Sequence, residues 1–334
     1  MSSPSEAISS TERTARAGKG AVADDLKRFG PNAFVEAMEP SRAEKYCKSL
    51  ALKHYENFSV ASFLLPRTLR QDFYNIYAYC RWSDDLADEM GDVAESLQLL
   101  HWWRTELRDC FAGDAKHPVF IALQKTIRVH SLSIEPFEHL LDAFVQDQSV
   151  TRYGSHLELL DYCRGSANPV GRILLKLARV EDSVSQQLSD RVCTGLQIAN
   201  FCQDLRPDAL RGRIYLPKNL WQRFELTEAE ILAGQPTGNL RFALKVWVDL
   251  ARTSLVSGLP LVRQTPRWLA RDIQLFVRGG LNILDNIAKA NFDVWTRPIE
   301  VSTKQKVALL LRAMFSPRSL RVAELSSPEK GKHA

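Results

Sequence analysis

From Arg42 onward, apolar residues recur every three to four positions with few interruptions, the period of amphipathic helices. After the break at Pro66-Arg67, the residues Leu69, Phe73, Ile76, Tyr77 and Cys80 fall on one helical face. The same spacing predicts helices over 92–112, 119–129 and 134–148, and a long middle pair over 156–179 and 184–206. Further helices follow over 240–261 and 268–290, with a short last one over 304–315. Only residues 213–216 alternate as a strand would, and that stretch is too short to build a sheet. Residues 1–22 are polar and low in aromatics, which predicts a disordered start. The pattern implies one all-α domain over 23–315, ten or more helices bundled around a central cavity, with a flexible tail over 316–334.

Polar positions inside this pattern carry the chemistry. Gln197, Asn200, Asp204 and Asp208 fall at i, i+3, i+7 and i+11, one polar stripe, with Ile198, Phe201 and Leu205 as an apolar stripe beside it. Taken alone, that is what a surface helix looks like. A second acidic stretch, Arg81-Trp82-Ser83-Asp84-Asp85-Leu86-Ala87-Asp88-Glu89, places Asp84 and Asp88 one turn apart. Like charges at that spacing repel by a few tenths of a kcal/mol, roughly. Two such stripes in mostly apolar helices point to a cation between them. Carboxylates and amides are hard oxygen ligands, the set that suits Mg²⁺.

Composition narrows the picture further. At 334 residues and 45% hydrophobic, the chain can bury a large core. Its six cysteines contain no C-x-x-C pair and lie largely in apolar helical pattern, as buried free thiols in a reducing compartment would. The serine-rich start lacks the apolar core of a signal peptide, and no uncharged apolar run reaches a membrane-spanning length. A cytoplasmic protein is expected. Residues 301–334 hold seven Lys or Arg against two Glu, an excess of five that equals the whole net charge of +5. Such a tail is either a solvated end or a peripheral contact with an anionic membrane surface. Nucleic acid is not expected, since no reading helix or basic-aromatic pattern accompanies the charge. There is no G-x-G-x-x-G, no Walker A sequence, no H-E-x-x-H and no Glu-x-x-His, so dinucleotide, P-loop, zincin and di-iron chemistries are not encoded.

The two acidic stretches, with Arg211-Gly212-Arg213-Ile214-Tyr215-Leu216-Pro217 after the second, resemble the aspartate-rich motifs of the squalene/phytoene synthase family. The resemblance runs over roughly residues 50–312 and implies an isoprenoid-synthase-type bundle with a catalytic domain like that of trans-isoprenyl diphosphate synthases. Within the family, His54-Tyr55-Glu56-Asn57-Phe58 and the run from Tyr162 to Gly171 resemble the bacterial hydroxysqualene synthases of the hopanoid route, the HpnC type.

That resemblance implies a Mg²⁺-dependent enzyme that ionises an isoprenoid diphosphate, presqualene or farnesyl diphosphate, and steers the carbocation. Asp84, Asp88, Asn200, Asp204 and Asp208 become metal ligands; Arg81, Gln197, Asn200, Arg213, Tyr215, His54 and Asn57 become substrate contacts; Tyr162, Ser166, Asn168 and Arg81 become catalytic candidates. In an apolar pocket the hydroxyl of Ser166 and the amide of Asn168 hold a water that traps the cation as an alcohol, or else they tie two helices together. No NADPH is expected, because no dinucleotide fingerprint is present. Channelling from a presqualene diphosphate synthase would fit the same route. Gln203 stands where many relatives carry Arg, which reads as a missing cationic contact, and Gly280 where several place an aromatic residue, which reads as a wider or wetter cavity. Tyr162 alone also reads as core, His54 as a structural histidine, and Trp102, Trp103 and Trp247 as packing. Two rival functions stay open: the same fold condensing prenyl diphosphates to presqualene diphosphate, squalene or phytoene, and a non-catalytic assembly factor. Intact Asp positions argue against the latter, since a scaffold has no need of repelling carboxylates.

Overall fold

The computed structural model describes residues 23–34, 36–53, 65–296 and 298–299, so His54, Asn57, the 304–315 stretch and both tails lie outside the described residues. After a helical stretch over 23–29 come α1 (Pro40–Lys53), α2 (Arg70–Asp88), α3 (Val93–Ala112), α4 (Pro118–His130) and α5 (Glu135–Asp147). Then follow α6 (His156–Ser166), α7 (Asn168–Leu177), α8 (Ser183–Gln203), α9 (Leu205–Leu210), α10 (Lys218–Arg223) and α11 (Glu228–Ala233). Last come α12 (Gly238–Gly258), α13 (Leu261–Gln264) and α14 (Arg267–Lys289). Among the described residues there is no strand, only one isolated parallel bridge between Arg152 and Ile214. None of these helices is long and apolar enough to cross a membrane. All six cysteines are free thiols.

The described residues group into two compact units. One holds residues before 54 together with 71–134 and 144–148. In it α4 packs on α1 and α3, and Trp103, Phe120 and Leu100 are fully buried. The other holds 65–70, 135–143 and the residues from 149 on. Its axis is α8, flanked by α12, α14, α7 and α6. Glycines let three of these helices approach closely. A Cβ on Gly195 of α8 would meet Leu255 of α12 at 2.8 Å, and one on Gly280 of α14 would meet Leu196 and Leu255 at 3.0 Å. Gly280 therefore marks a tight helix junction. The expectation of a wider cavity at that position is corrected, because leucines already occupy the space.

Two helices expected to be continuous are each broken, and proline is the physical reason both times. The 156–179 stretch divides at Ala167 (φ −112°, ψ −45°). Pro169 has no N–H for the carbonyl of Gly165, and its ring crowds that carbonyl. The 184–206 stretch ends at Gln203, with Asp204 (φ −96°, ψ 13°) as the joint to α9. There it is Pro207 that lacks the N–H owed to the Gln203 carbonyl. The polar stripe of the second acidic motif consequently spans two helices rather than one.

Candidate active site

The first acidic motif ends α2. Asp88 is the last residue of that helix and is exposed; Asp84, one turn earlier, keeps 49% of its side chain exposed. Although solvent reaches Asp84, the surrounding chain displaces enough water to push its carboxyl up to about 6, with the like charge of Asp88 adding and Arg81 opposing. The expected repulsion between the two carboxylates is thus present. Arg81 is held by carboxylates of its own motif. Its guanidinium pairs with Asp85, and reaches Asp84 at 3.4 Å and Glu89 at 3.3 Å. Asp85 is buried, and burial lifts its carboxyl to about 7 against the pull of Arg81. Asp85 and Glu89, which the spacing sets off the Asp84/Asp88 face, therefore hold the arginine in place.

The second motif is built at the α8–α9 joint. Asn200 and Asp204 are exposed and Gln197 and Asp208 half-buried. The Asp204 N–H donates to the Asn200 carbonyl at 2.8 Å, and the Asp208 N–H to the Asp204 carbonyl at 2.9 Å. Past the turn at Gly212, the Arg213 N–H returns to the Asp208 carbonyl at 2.8 Å, which ties half-buried Arg213 to the motif. Arg152 holds that turn by donating to the Gly212 carbonyl at 2.6 Å, while Glu228 accepts from the same guanidinium at 2.7 Å. Gln203 is no vacant contact: its amide donates to the Ile299 carbonyl at 2.6 Å.

Behind the motif lies an aromatic cluster. Phe201 and Tyr215 stack at 3.9 Å between centroids and 9° between planes. Tyr162 stands 6.2 Å from Phe201 and 6.0 Å from Tyr215, and Tyr153 stands 5.3 Å from Tyr162. Two expected site residues, Tyr162 and Tyr215, are thereby brought together, each buried but not fully sealed (6% and 7% exposed). Phe201 and Tyr153 were missed; the only available signal was the place of Phe201 inside the motif. Trp103 and Trp247 are fully buried, as packing residues would be.

One turn beyond Tyr162 the chain reaches the α6–α7 break. The Ser166 hydroxyl is buried without a hydrogen-bond partner among the described residues. Asn168, 4% exposed, accepts at Oδ1 from the Thr194 hydroxyl of α8 at 3.1 Å.

Among the described residues no three His, Cys, Asp or Glu side chains gather into a ready-made metal cage. The donor set still fits Mg²⁺, which takes one or two carboxylates and fills its remaining positions with water and phosphate oxygens. Asp84 and Asp88, two carboxylates that repel one another, are such a pair.

The family model for squalene/phytoene synthases matches residues 51–306. Over 298 residues the chain is 28% identical to a phytoene synthase of Arthrospira platensis, covering 84% of this chain and 96% of that one. It is 27% identical to a 15-cis-phytoene synthase of Synechococcus elongatus, covering 82% and 93% of the two chains. The solved structure of squalene synthase HpnC from Alicyclobacillus acidocaldarius superposes with a TM-score of 0.73 at 40% identity, over 77% of this chain and 97% of that one. A dehydrosqualene synthase shares the fold at a TM-score of 0.75 and 23% identity, over 82% and 96%. With the acidic motifs, their intervening helices and the match over most of its length in agreement, the chain belongs to the squalene/phytoene synthase family.

Proposed function

We propose that this enzyme converts presqualene diphosphate and water to hydroxysqualene and diphosphate. The C–O bond to the leaving group breaks with its electron pair departing on diphosphate. The cyclopropylcarbinyl cation then opens its ring, a water lone pair forms the new C–O bond, and the released proton passes to the diphosphate. No electrons are gained or lost overall, so no hydride donor enters. Squalene from the same cation would need one.

The observation that carries this reading is the buried Ser166 hydroxyl without a protein partner, two residues from buried Asn168. A buried hydroxyl costs about 1–3 kcal/mol unless it is satisfied, and a water molecule is the natural partner. Tyr162 lies one turn from Ser166 on the same face of α6, and its ring with Phe201 and Tyr215 offers π faces to a cation in transit. In the first motif Asp84 and Asp88, and in the second Asn200, Asp204 and Asp208, are the residues that would hold Mg²⁺, each set taken on its own. When bound, the ion supplies Lewis acidity to the leaving diphosphate. Arg81, braced by Asp85, is a donor to the same group, and Gln197, Arg213 and the Tyr215 hydroxyl are further candidates. The likeness to a squalene synthase of the HpnC type supports a substrate on the squalene side of the family.

Phytoene synthases at 27–28% identity favour a second reading, condensation of two prenyl diphosphates. Purified protein incubated separately with presqualene, farnesyl and geranylgeranyl diphosphates, each with and without NADPH, distinguishes them. The expected result is an alcohol from presqualene diphosphate alone, indifferent to NADPH, that takes up label from H₂¹⁸O. Phytoene from geranylgeranyl diphosphate, or squalene that requires NADPH, would overturn it.

A further inference from the structure

Resting on that reading, we propose that Thr194 is a positioning residue for water capture: it fixes the Asn168 amide in the orientation that holds the water. Three contacts set the register of the kinked α6–α7 segment against α8. Tyr162 meets Phe201 with centroids 6.2 Å apart, and Asn168 meets Thr194 at 3.1 Å. Further along, Gly171 sits so close to α8 that an added Cβ would lie 2.4 Å from Ser189 Oγ and 2.6 Å from Cys193 Sγ. The chains run antiparallel, so Ser166 falls between the aromatic level and the Asn168–Thr194 level. Thr194, Ile198 and Phe201 lie at i, i+4 and i+7, along one face of α8.

An asparagine side chain has two edges, one accepting and one donating. The Thr194 hydroxyl donates to Oδ1 and so engages the accepting edge. The two Nδ2 hydrogens are then left on the opposite edge, where the oxygen of a water can accept. Without the hydroxyl the amide is free to turn over, and its Oδ1 would present lone pairs in place of donors. A water that accepts from Nδ2–H and donates to Ser166 Oγ is fixed at two points and keeps its second lone pair for the cation; a turned amide offers it only an acceptor, so the lone pair is no longer aimed by that contact. Gly171 belongs to the same device, since a Cβ there would meet Ser189 Oγ and Cys193 Sγ and force them to shift at the closest approach of α7 to α8.

The test is the ratio of alcohol to elimination hydrocarbon formed from presqualene diphosphate, a ratio from which overall turnover cancels. T194V removes the hydroxyl at nearly constant volume and should lower the ratio about fivefold, the partitioning one hydrogen bond commands. T194S restores the hydroxyl and should restore the ratio. N168V should lower it at least as far, and the double variant T194V/N168V no further than N168V alone, because both act through one amide. If T194V does not fold, T194A reads the same ratio. An unchanged ratio in T194V or T194A, or losses that multiply in the double variant, would overturn the positioning role while the functional reading stands. A wild type that forms no ¹⁸O-labelled alcohol overturns the functional reading and this role with it.

Discussion

Asp272 offers a measurable consequence of the fold that is independent of catalysis. It lies on α14 with 2% of its surface exposed, and its Oδ1 has no hydrogen-bond partner among the described residues. Burial pushes its carboxyl up to about 8. The folded protein therefore keeps Asp272 protonated through pH values at which the unfolded chain, with a carboxyl near 3.9, has released its proton. The sign follows from proton binding. The favourable contribution is complete below pH 4 and is lost as pH rises to about 8, at about 1.4 kcal/mol per pH unit, with a ceiling of about 6 kcal/mol. Asp272→Asn keeps the shape and cannot ionise, so its advantage over wild type should grow with pH. Between pH 5 and 7.5 that growth is up to about 3 kcal/mol, and each kcal/mol moves the melting temperature of a domain this size by about 2–4 °C. Thermal melts of both proteins at the two pH values measure it. Parallel pH profiles, or a variant favoured more at pH 5 than at 7.5, would refute the reasoning.

Three other outcomes are expected. His117 caps α4 by accepting from the Val119 N–H, its ring centroid 4.6 Å from that of Trp82 and 4.8 Å from that of Trp103, and burial lowers its pKa to about 3. Being neutral when folded, it stabilises above about pH 6.5 and loses that contribution as pH falls toward 3, so wild type should lose melting temperature between pH 6.5 and 5 more steeply than H117N, which keeps a capping side chain. Equal slopes would contradict this. Asp84→Ala and Asp204→Ala should each abolish turnover while leaving helical circular dichroism intact, and D84A should melt no lower than wild type because it relieves the charge of Asp88. A large fall in melting temperature in both would mark them as structural instead. Gly280→Phe should destabilise by about 1–3 kcal/mol or more through overpacking against Leu196 and Leu255, seen as a lower melting temperature; wild-type stability would show that the junction yields.

Long periodic helices were legible because burial of one face imposes a period that no other structure satisfies. The predicted 268–290 helix is observed as Arg267–Lys289, and the predicted 92–112 helix as Val93–Ala112 with Asp92 capping it. The breaks at Ala167 and Asp204 carried a signal in Pro169 and Pro207, masked by an apolar period running through the first and a polar stripe running past the second. Short helices such as Glu228–Ala233 have too few residues to show a period, although Thr227 and Glu230 form a capping box at its start. The acidic positions and Tyr162 were legible as motif members. The Asn168–Thr194 bond was not, because it joins residues 26 apart in sequence and depends on how closely Gly171 lets two helices approach.

Gln203 shows most directly what one-dimensional reading leaves out. A glutamine where many relatives carry arginine reads as the loss of a positive charge beside the diphosphate. In the fold, its amide is bonded to the Ile299 carbonyl at 2.6 Å, and Arg206 donates to the Trp295 carbonyl at 2.5 Å. Both residues therefore pin the backbone that follows α14 against the α8–α9 joint, the place where Asp204 is presented. An arginine at 203 can donate to the same carbonyl, but it would bring a full charge to a half-buried position beside an amide-only partner. A neutral amide meets that carbonyl without the cost of desolvating a cation. Arg206, exposed at its other atoms, stays solvated while it does the same. The substitution is thus accounted for by the segment it anchors, and the positive charge near the second motif is supplied by Arg206, Arg211 and Arg213.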